Sequence, residues 1–205
     1  MPTSQSPFRQ PRRFAARVLV GVDLPTAQLG RTDMRITRVG LGVTAPGGRG
    51  WAGGPEPPDE AEIRRRRADV LKRGLPYFVA ERGGEVVGFA YAAPYRTRPA
   101  YRFTVEDSVY VHSDHLGHGV GATLLAVLIA ACERAGYRQM IAVIGDSANQ
   151  ASIKLHERCG FALDGQRPAT GFKFGRWVDS VLMQRALGKG EGTPPLEQER
   201  PGSRS

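Results

Sequence analysis

The fold turns on one stretch, "HLGHGVGATLLAVLIAACERAGY", residues 115–137. Gly117, Gly119 and Gly121 alternate along it, and an apolar run follows that ends at Gly136. Glycines directly before such a run read as a tight loop opening a buried helix. Upstream, "PYFVAERGGEVVGFAYAA" is two β-rich runs around Gly83-Gly84, a pair that suits a two-residue hairpin turn with positive φ. "YRFTVEDSVYVH" then supplies a third strand, in which Val105, Val109 and Val111 keep to one face. Downstream, "YRQMIAVI" reads as a strand and "SANQASIKLHERCG" as a shorter helix with a polar capping start and a glycine stop; "FALDG" and "WVDSVLMQ" add two more strands. Ahead of them all, "PPDEAEIRRRRADVLKRG" opens on prolines and acids and closes on bases and Gly74, which complements a helix dipole. The expected order is helix, hairpin, strand, helix, strand, helix, strand, strand, a chain of the α/β class.

A chain of 205 residues is about the length of one domain. Its 29 basic against 20 acidic residues give a net charge of +9, which suits a polyanionic partner or an anionic small ligand. Nucleic acid is the weaker choice, because the arginines are spread along the chain rather than clustered with aromatics. Consecutive helical residues point in different directions, so most of the run Arg64–Arg67 should be solvated rather than gathered on a phosphate. No apolar stretch is long enough for a membrane span, and "FAARVLVGVDL" is broken by Asp23. Cys132 and Cys159 fall in expected helices and read as a reduced pair, and no spacing of Cys and His suggests a metal site. Residues 1–55 are rich in Gly, Arg and Pro without helical period and are expected to be poorly ordered. The polar tail, residues 189–205, is expected to be disordered.

Without side chains, the alternate glycines let backbone N–H groups converge on an anion at the positive end of the helix dipole. The same glycines would also serve a tight strand-to-helix turn that binds nothing. A P-loop is excluded because no Gly-Lys-Ser/Thr follows. A dinucleotide fold has Gly117, Gly119 and Ala122 at its spacing and Asp146 where a ribose-binding acid would sit, but the preceding hairpin and the short remainder of the chain oppose it.

The loop, "ANQASIKLHERCGF" and the terminal strands together resemble the GNAT superfamily of N-acetyltransferases, which use acetyl-coenzyme A. The detailed wording of "LPYFVAE", "VVGFAYAAPYRTRPAYRFTVEDSVYV", "IAVIGDSAN", "LHERCGF" and "GFKFGRWVDSVLMQR" is similar to the phosphinothricin N-acetyltransferase family. That family acetylates the amino group of a phosphinate-bearing glutamate analogue and, in wider relatives, methionine sulfone and sulfoximine. The resemblance implies a mixed, mostly antiparallel central sheet with splayed strands flanked by helices, over residues 56–188. It also implies a cytoplasmic homodimer acting on a small amino acid analogue. Carried over, the cofactor site falls on Val109, Tyr110 and Val111, on Gly117, His118, Gly119, Val120, Gly121 and Ala122, and on Asn149. Leu116 stands where the superfamily usually has Gln or Arg and His118 where it often has Arg, so weaker cofactor affinity is expected.

The resemblance further implies that Glu106 is the base that deprotonates the attacking amine, directly or through water, with Asp107 as the neighbouring alternative. Adjacent strand residues face opposite sides, so only one of the two should point into the site. A backbone N–H of the splayed strand would stabilise the oxyanion. His156 stands where the family has histidine and many superfamily members a tyrosine acid, and is expected to return a proton to the thiolate or polarise substrate. In "PYRTRPAY", Arg98 and Tyr101 match the substrate positions, with Arg96 beside them offering a further bidentate contact. The chain departs from the family before "PPDEAEI". There "MRITRVGLGVTAPGGRGWAGGPE" keeps at most a first strand, in "MRIT", and lacks the helix and aromatic residue that close over substrate. A shifted reading frame in this stretch would account for the departure. The alternative reading is therefore a coenzyme A-binding protein with impaired catalysis.

Overall fold

The computed structural model describes residues 60–82, 85–173 and 175–195, together with the backbone of residues 16–18. Among these residues seven strands form one sheet: β1 (Ala16–Val18), β2 (Tyr77–Arg82), β3 (Glu85–Pro94), β4 (Thr104–Val111), β5 (Gln139–Gly145), β6 (Ala162–Lys173) and β7 (Arg176–Ala186). Across the sheet they run β1-β2-β3-β4-β5-β7-β6. Every neighbouring pair is antiparallel except β4 and β5. Three helices among the described residues accompany them, α1 (Glu60–Lys72), α2 (Val120–Arg134) and α3 (Gln150–Arg158).

The expected order of elements is the observed one. The Gly83-Gly84 turn and the "MRIT" stretch lie outside the described residues, but β2 and β3 pair as the hairpin requires. Within the amino-terminal segment, Ala16–Val18 add a strand to the outer edge of β2.

β6 is longer than "FALDG" suggests. It runs on through Pro168 and Ala169, with register shifts between Leu163 and Gly165 and between Arg167 and Gly171, and Ala169 has φ 50°. A proline is tolerated there because, among the described residues, β6 is the last strand of the sheet and its outer side has no partner in the ladder. The tail also departs from expectation. Arg138 is buried and needs acceptors, and it finds them beyond β7: Nε donates to the Gly190 carbonyl at 3.0 Å, and a terminal nitrogen donates to Thr193 Oγ1 at 2.8 Å and to the Thr193 carbonyl. The first part of the stretch expected to be disordered is therefore tied down.

α2 supplies the centre of the core. Its residues Val120, Leu124 and Leu128 recur every four positions and are buried together with Leu125, Ile129 and Cys132. Each such leucine is worth about 1.5–3 kcal/mol of burial. The helix ends where Gly136 turns to φ 87° and Tyr137 N–H reaches back to the Cys132 carbonyl at 3.1 Å. α2 lies against the face of β3 and β4 that carries Gly88 and Val111. A Cβ at Gly88 would sit 2.8 Å from the Tyr110 carbonyl oxygen and 3.2 Å from both Leu124 and Val120, so only glycine lets the helix come this close. α1 takes the opposite face, where the Arg67 guanidinium lies 5.9 Å from the ring of Tyr77.

The arginine run is dispersed as expected. Arg65 and Arg66 both bind Glu62, and Arg65 also reaches Asp69.

Candidate active site

The central feature is a short parallel seam. β4 and β5 pair only over Thr104↔Gln139, Val105↔Met140 and Glu106↔Ile141, and then the two strands part. β4 continues to Val111 and β5 to Gly145 without pairing each other again. Beyond Glu106 the β5-facing edge of β4 thus presents backbone donors and acceptors with no strand partner, the arrangement that receives an extended amide chain.

At the open end of that gap lies the glycine loop. Gly117 and Gly119 have φ 75° and 81°, and a Cβ on either would meet nothing within 4 Å. Gly119 is the N-cap of α2, whose first N–H groups, at Val120, Gly121 and Ala122, have no carbonyl one turn back. These glycines provide both the left-handed turn and the open space above a helix dipole, which is what a pyrophosphate requires. Gly121 serves differently. A Cβ there would lie 3.2 Å from Leu155 and 3.4 Å from Val111, so this glycine brings α3 against α2. Leu116 is 60 % exposed and His118 is exposed, so neither of these two loop positions carries a permanent cation.

Asn149 caps α3, its Oδ1 accepting from Ser152 N–H at 3.2 Å. The loop before it is pinned from β7. Asp146 N–H donates to the Asp179 carbonyl at 2.9 Å and Ser147 N–H to Asp179 Oδ1 at 2.7 Å. Asp146, the acid that a dinucleotide fold would use on a ribose, is instead paired with Arg176, which holds its carboxyl below the ordinary value.

Glu106 is the last residue of the seam, at the apex of the gap. It is half-buried, and among the described residues nothing hydrogen-bonds its carboxylate. Burial, and then the charge of Asp107, raise its pKa above the ordinary value. Tyr110 shares its face of β4. That ring stacks on Phe89 at 4.7 Å and its carbonyl lies toward β3 beside Gly88, so the neighbouring Val109 and Val111 are the residues whose backbone turns to the gap. Asp107 faces the other way, buried toward α2 and α3, where its Oδ2 meets His156 Nε2 at 3.1 Å. His156 Nδ1 lies 2.7 Å from the Ser152 carbonyl and the ring stands edge-on to Phe161 at 5.1 Å. The structure therefore brings His156 to Asp107 and not to Glu106. Nothing in a single sequence links residues 49 positions apart.

The substrate candidates lie at the other end of β4. Ala93 pairs with Glu106 and Pro94 with Val105, so the connection through residues 95–103 leaves and returns beside the acid. In it Arg96 lies 5.0 Å from the rings of both Tyr95 and Tyr101 and donates to the Tyr101 hydroxyl at 3.2 Å. Arg96 is thus committed to the tyrosines, whereas the exposed Arg98 guanidinium makes no hydrogen bond to the described residues. Among those residues no group of three or more His, Cys, Asp or Glu is placed to hold a metal ion. No helix among them is long and apolar enough to cross a membrane.

The family model for the Acetyltransferase (GNAT) family matches residues 49–161, and the chain belongs to that family. It is 58% identical over 139 residues to the phosphinothricin N-acetyltransferase of Alcaligenes faecalis, which covers 68% of this chain and 71% of that protein. It is 46% identical over 114 residues to an L-methionine sulfoximine/L-methionine sulfone acetyltransferase of Salmonella typhimurium, over 56% of this chain and 66% of that one. The crystal structure of a phosphinothricin acetyltransferase from Sinorhizobium meliloti in complex with AcCoA superposes with a TM-score of 0.68 at 48% identity, covering 73% of this chain and 82% of that chain.

Proposed function

We propose that this chain transfers an acetyl group from acetyl-coenzyme A to the amino group of a small amino acid analogue of the phosphinothricin, methionine sulfone or methionine sulfoximine type. The observation that carries the reading is the parting of β4 from β5 with Glu106 at the apex and the glycine loop at the mouth. The free edge of β4 at Val109 and Val111, with Tyr110 between them paired to β3, and the side-chain amide of Asn149 suit the pantetheine arm. Gly117, His118, Gly119, Val120, Gly121 and Ala122 suit the pyrophosphate. When bound, acetyl-coenzyme A supplies an activated acyl thioester.

The chain's own part is to prepare the amine and hold it. An amino acid arrives as an ammonium ion, and Glu106, its pKa raised, is suited to take the proton directly or through water. Arg98 offers a fork of donors to the carboxylate or phosphinate, and Tyr101, braced by Arg96, gives a wall beside it. Backbone N–H groups on the free edge of β4 are suited to the negative charge that develops during transfer. His156 has both ring nitrogens engaged, which favours positioning over proton donation.

Two further readings accompany this one. The outer edge of β6 and the exposed pair Phe172 and Trp177, which touch edge-to-face at 5.4 Å, support a homodimer through the β6–β7 hairpin. Trp177→Ser is expected to release monomer in sedimentation equilibrium. Two free thiols and an intracellular cosubstrate support a cytoplasmic reaction.

The test is thiol release from acetyl-coenzyme A with each of the three amines. Turnover with at least one is expected. Coenzyme A binding without turnover of any would favour the binding-only reading that the amino-terminal departure raises.

A further inference from the structure

We propose that Asp107 and His156 form a buried crossbar that sets the width of the gap between β4 and β5, and so the affinity for the coenzyme A arm. His156 is then a positioning residue, and the assignment rests on the proposed cosubstrate. Four observations converge on it. Asp107 is the first residue of β4 after the last strand pair, Glu106↔Ile141, so it stands where the strands begin to part. His156 is on α3, which follows β5 through a loop that Asp179 of β7 holds by two hydrogen bonds. The contact of 3.1 Å therefore ties the β4 side of the gap to the β5 side, and its side chains are only 5 % and 2 % exposed. One residue earlier, Leu155 reaches Gly121 at the start of α2, so the same turn of α3 also fixes the helix gap beside the glycine loop.

The chemistry of the pair suits a tie better than a proton store. The Ser152 carbonyl can only accept, so Nδ1 of His156 must donate to it. The second ring proton is then shared between Nε2 and the Asp107 carboxylate, with both groups away from solvent. Burial alone would lower the His156 pKa, but the bond to Asp107, its charge and the Ser152 carbonyl together raise it, so the proton is held. Giving that proton up would leave a lone pair facing a buried carboxylate, and the tie would be lost.

The test is calorimetric titration of the acetyl-free protein with coenzyme A, a readout independent of any amine substrate, with kcat measured alongside. His156→Ala is expected to raise the dissociation constant about tenfold, and Asp107→Ala to do the same. The double variant should be no worse than the weaker single one, because the two side chains act as a unit. In His156→Gln the amide nitrogen can still donate to Asp107, so the dissociation constant should return to within about threefold of the parent and kcat should fall by less than about tenfold. Normal coenzyme A binding by the alanine variants would overturn the proposal. So would a glutamine variant that binds coenzyme A normally but loses kcat by about a hundredfold, which would make the ring a proton donor. Should the alanine variants not fold, the glutamine variant decides through that split alone. Loss of turnover with every amine would count against the proposed function and leave the titration to judge the crossbar.

Discussion

Glu106 and Asp107 are neighbouring acids on one strand, and their two faces of β4 do different work. On one face, Asp107, Val109 and Val111 turn to α2 and α3, and a buried ion pair and close glycine contacts hold the helices around the gap. On the other, Glu106 shares its surface with the stacked rings of Phe89 and Tyr110, below α1, and its carboxylate is left without a partner among the described residues. A strand alternates sides at every residue, so a single step along the chain separates a group that must be fixed from a group that must be available. The difference teaches that exposure to chemistry here is set by what the strand packs against rather than by residue type.

The largest expected effect separates the faces outright. Glu106→Gln should lower kcat by about 10²- to 10⁴-fold while leaving coenzyme A affinity as it was. A matching loss of coenzyme A binding in the calorimeter would mean that the faces are not independent. Next comes the helix face. Gly88→Ala puts a methyl group against the Tyr110 carbonyl oxygen and the ends of Leu124 and Val120, at an expected cost of about 1–3 kcal/mol. That is a fall in melting temperature of about 2–4 °C per kcal/mol for a chain of this size.

The pH profile measures how far one face reaches the other. Glu106 works only when deprotonated, so kcat/KM should fall as pH drops through its raised pKa, and that acid limb should lie above the ordinary carboxylate range. Burial is the larger cause and the Asp107 charge the second. Asp107→Asn should accordingly shift the limb to lower pH, and an unmoved limb would show that the charge is not felt across the strand. The smallest effect belongs to the rim. His118→Arg restores a permanent cation beside the pyrophosphate loop and should tighten coenzyme A about two- to fivefold, an advantage that added salt removes.

Much of this arrangement was legible in the residues. The glycine loop, the hairpin, the alternation of "TVEDSVYV" and the order of elements follow from local pattern, because turn chemistry and period are written within a few residues of each other. The separate tasks of Gly119 and Gly121 were not, since one depends on its own φ and the other on a leucine in the next helix. Nor was the partner of Asp107, which comes from a helix on the far side of β5, or the commitment of Arg96 to two tyrosines. The short run "FALDG" did not reveal how far β6 extends, and the strand's place at the edge of the sheet is what lets it continue through Pro168. Long-range packing is what a local pattern omits, and the site is made largely of it.

The three-residue seam also bears on how the chain assembles. β1 to β4 form one antiparallel set and β5, β7 and β6 another, and among the described residues the seam is the only strand pairing that joins them. The hairpins β2–β3 and β6–β7 can form from nearby sequence, but the seam must wait for the chain to cross through α2, and such parallel, non-local pairing is slow. The opening that admits a ligand is thus also the join expected to form last during folding. The backbone amide of Val105, on the β5 side of β4, should gain hydrogen-exchange protection later than the amides of the β2–β3 and β6–β7 hairpins.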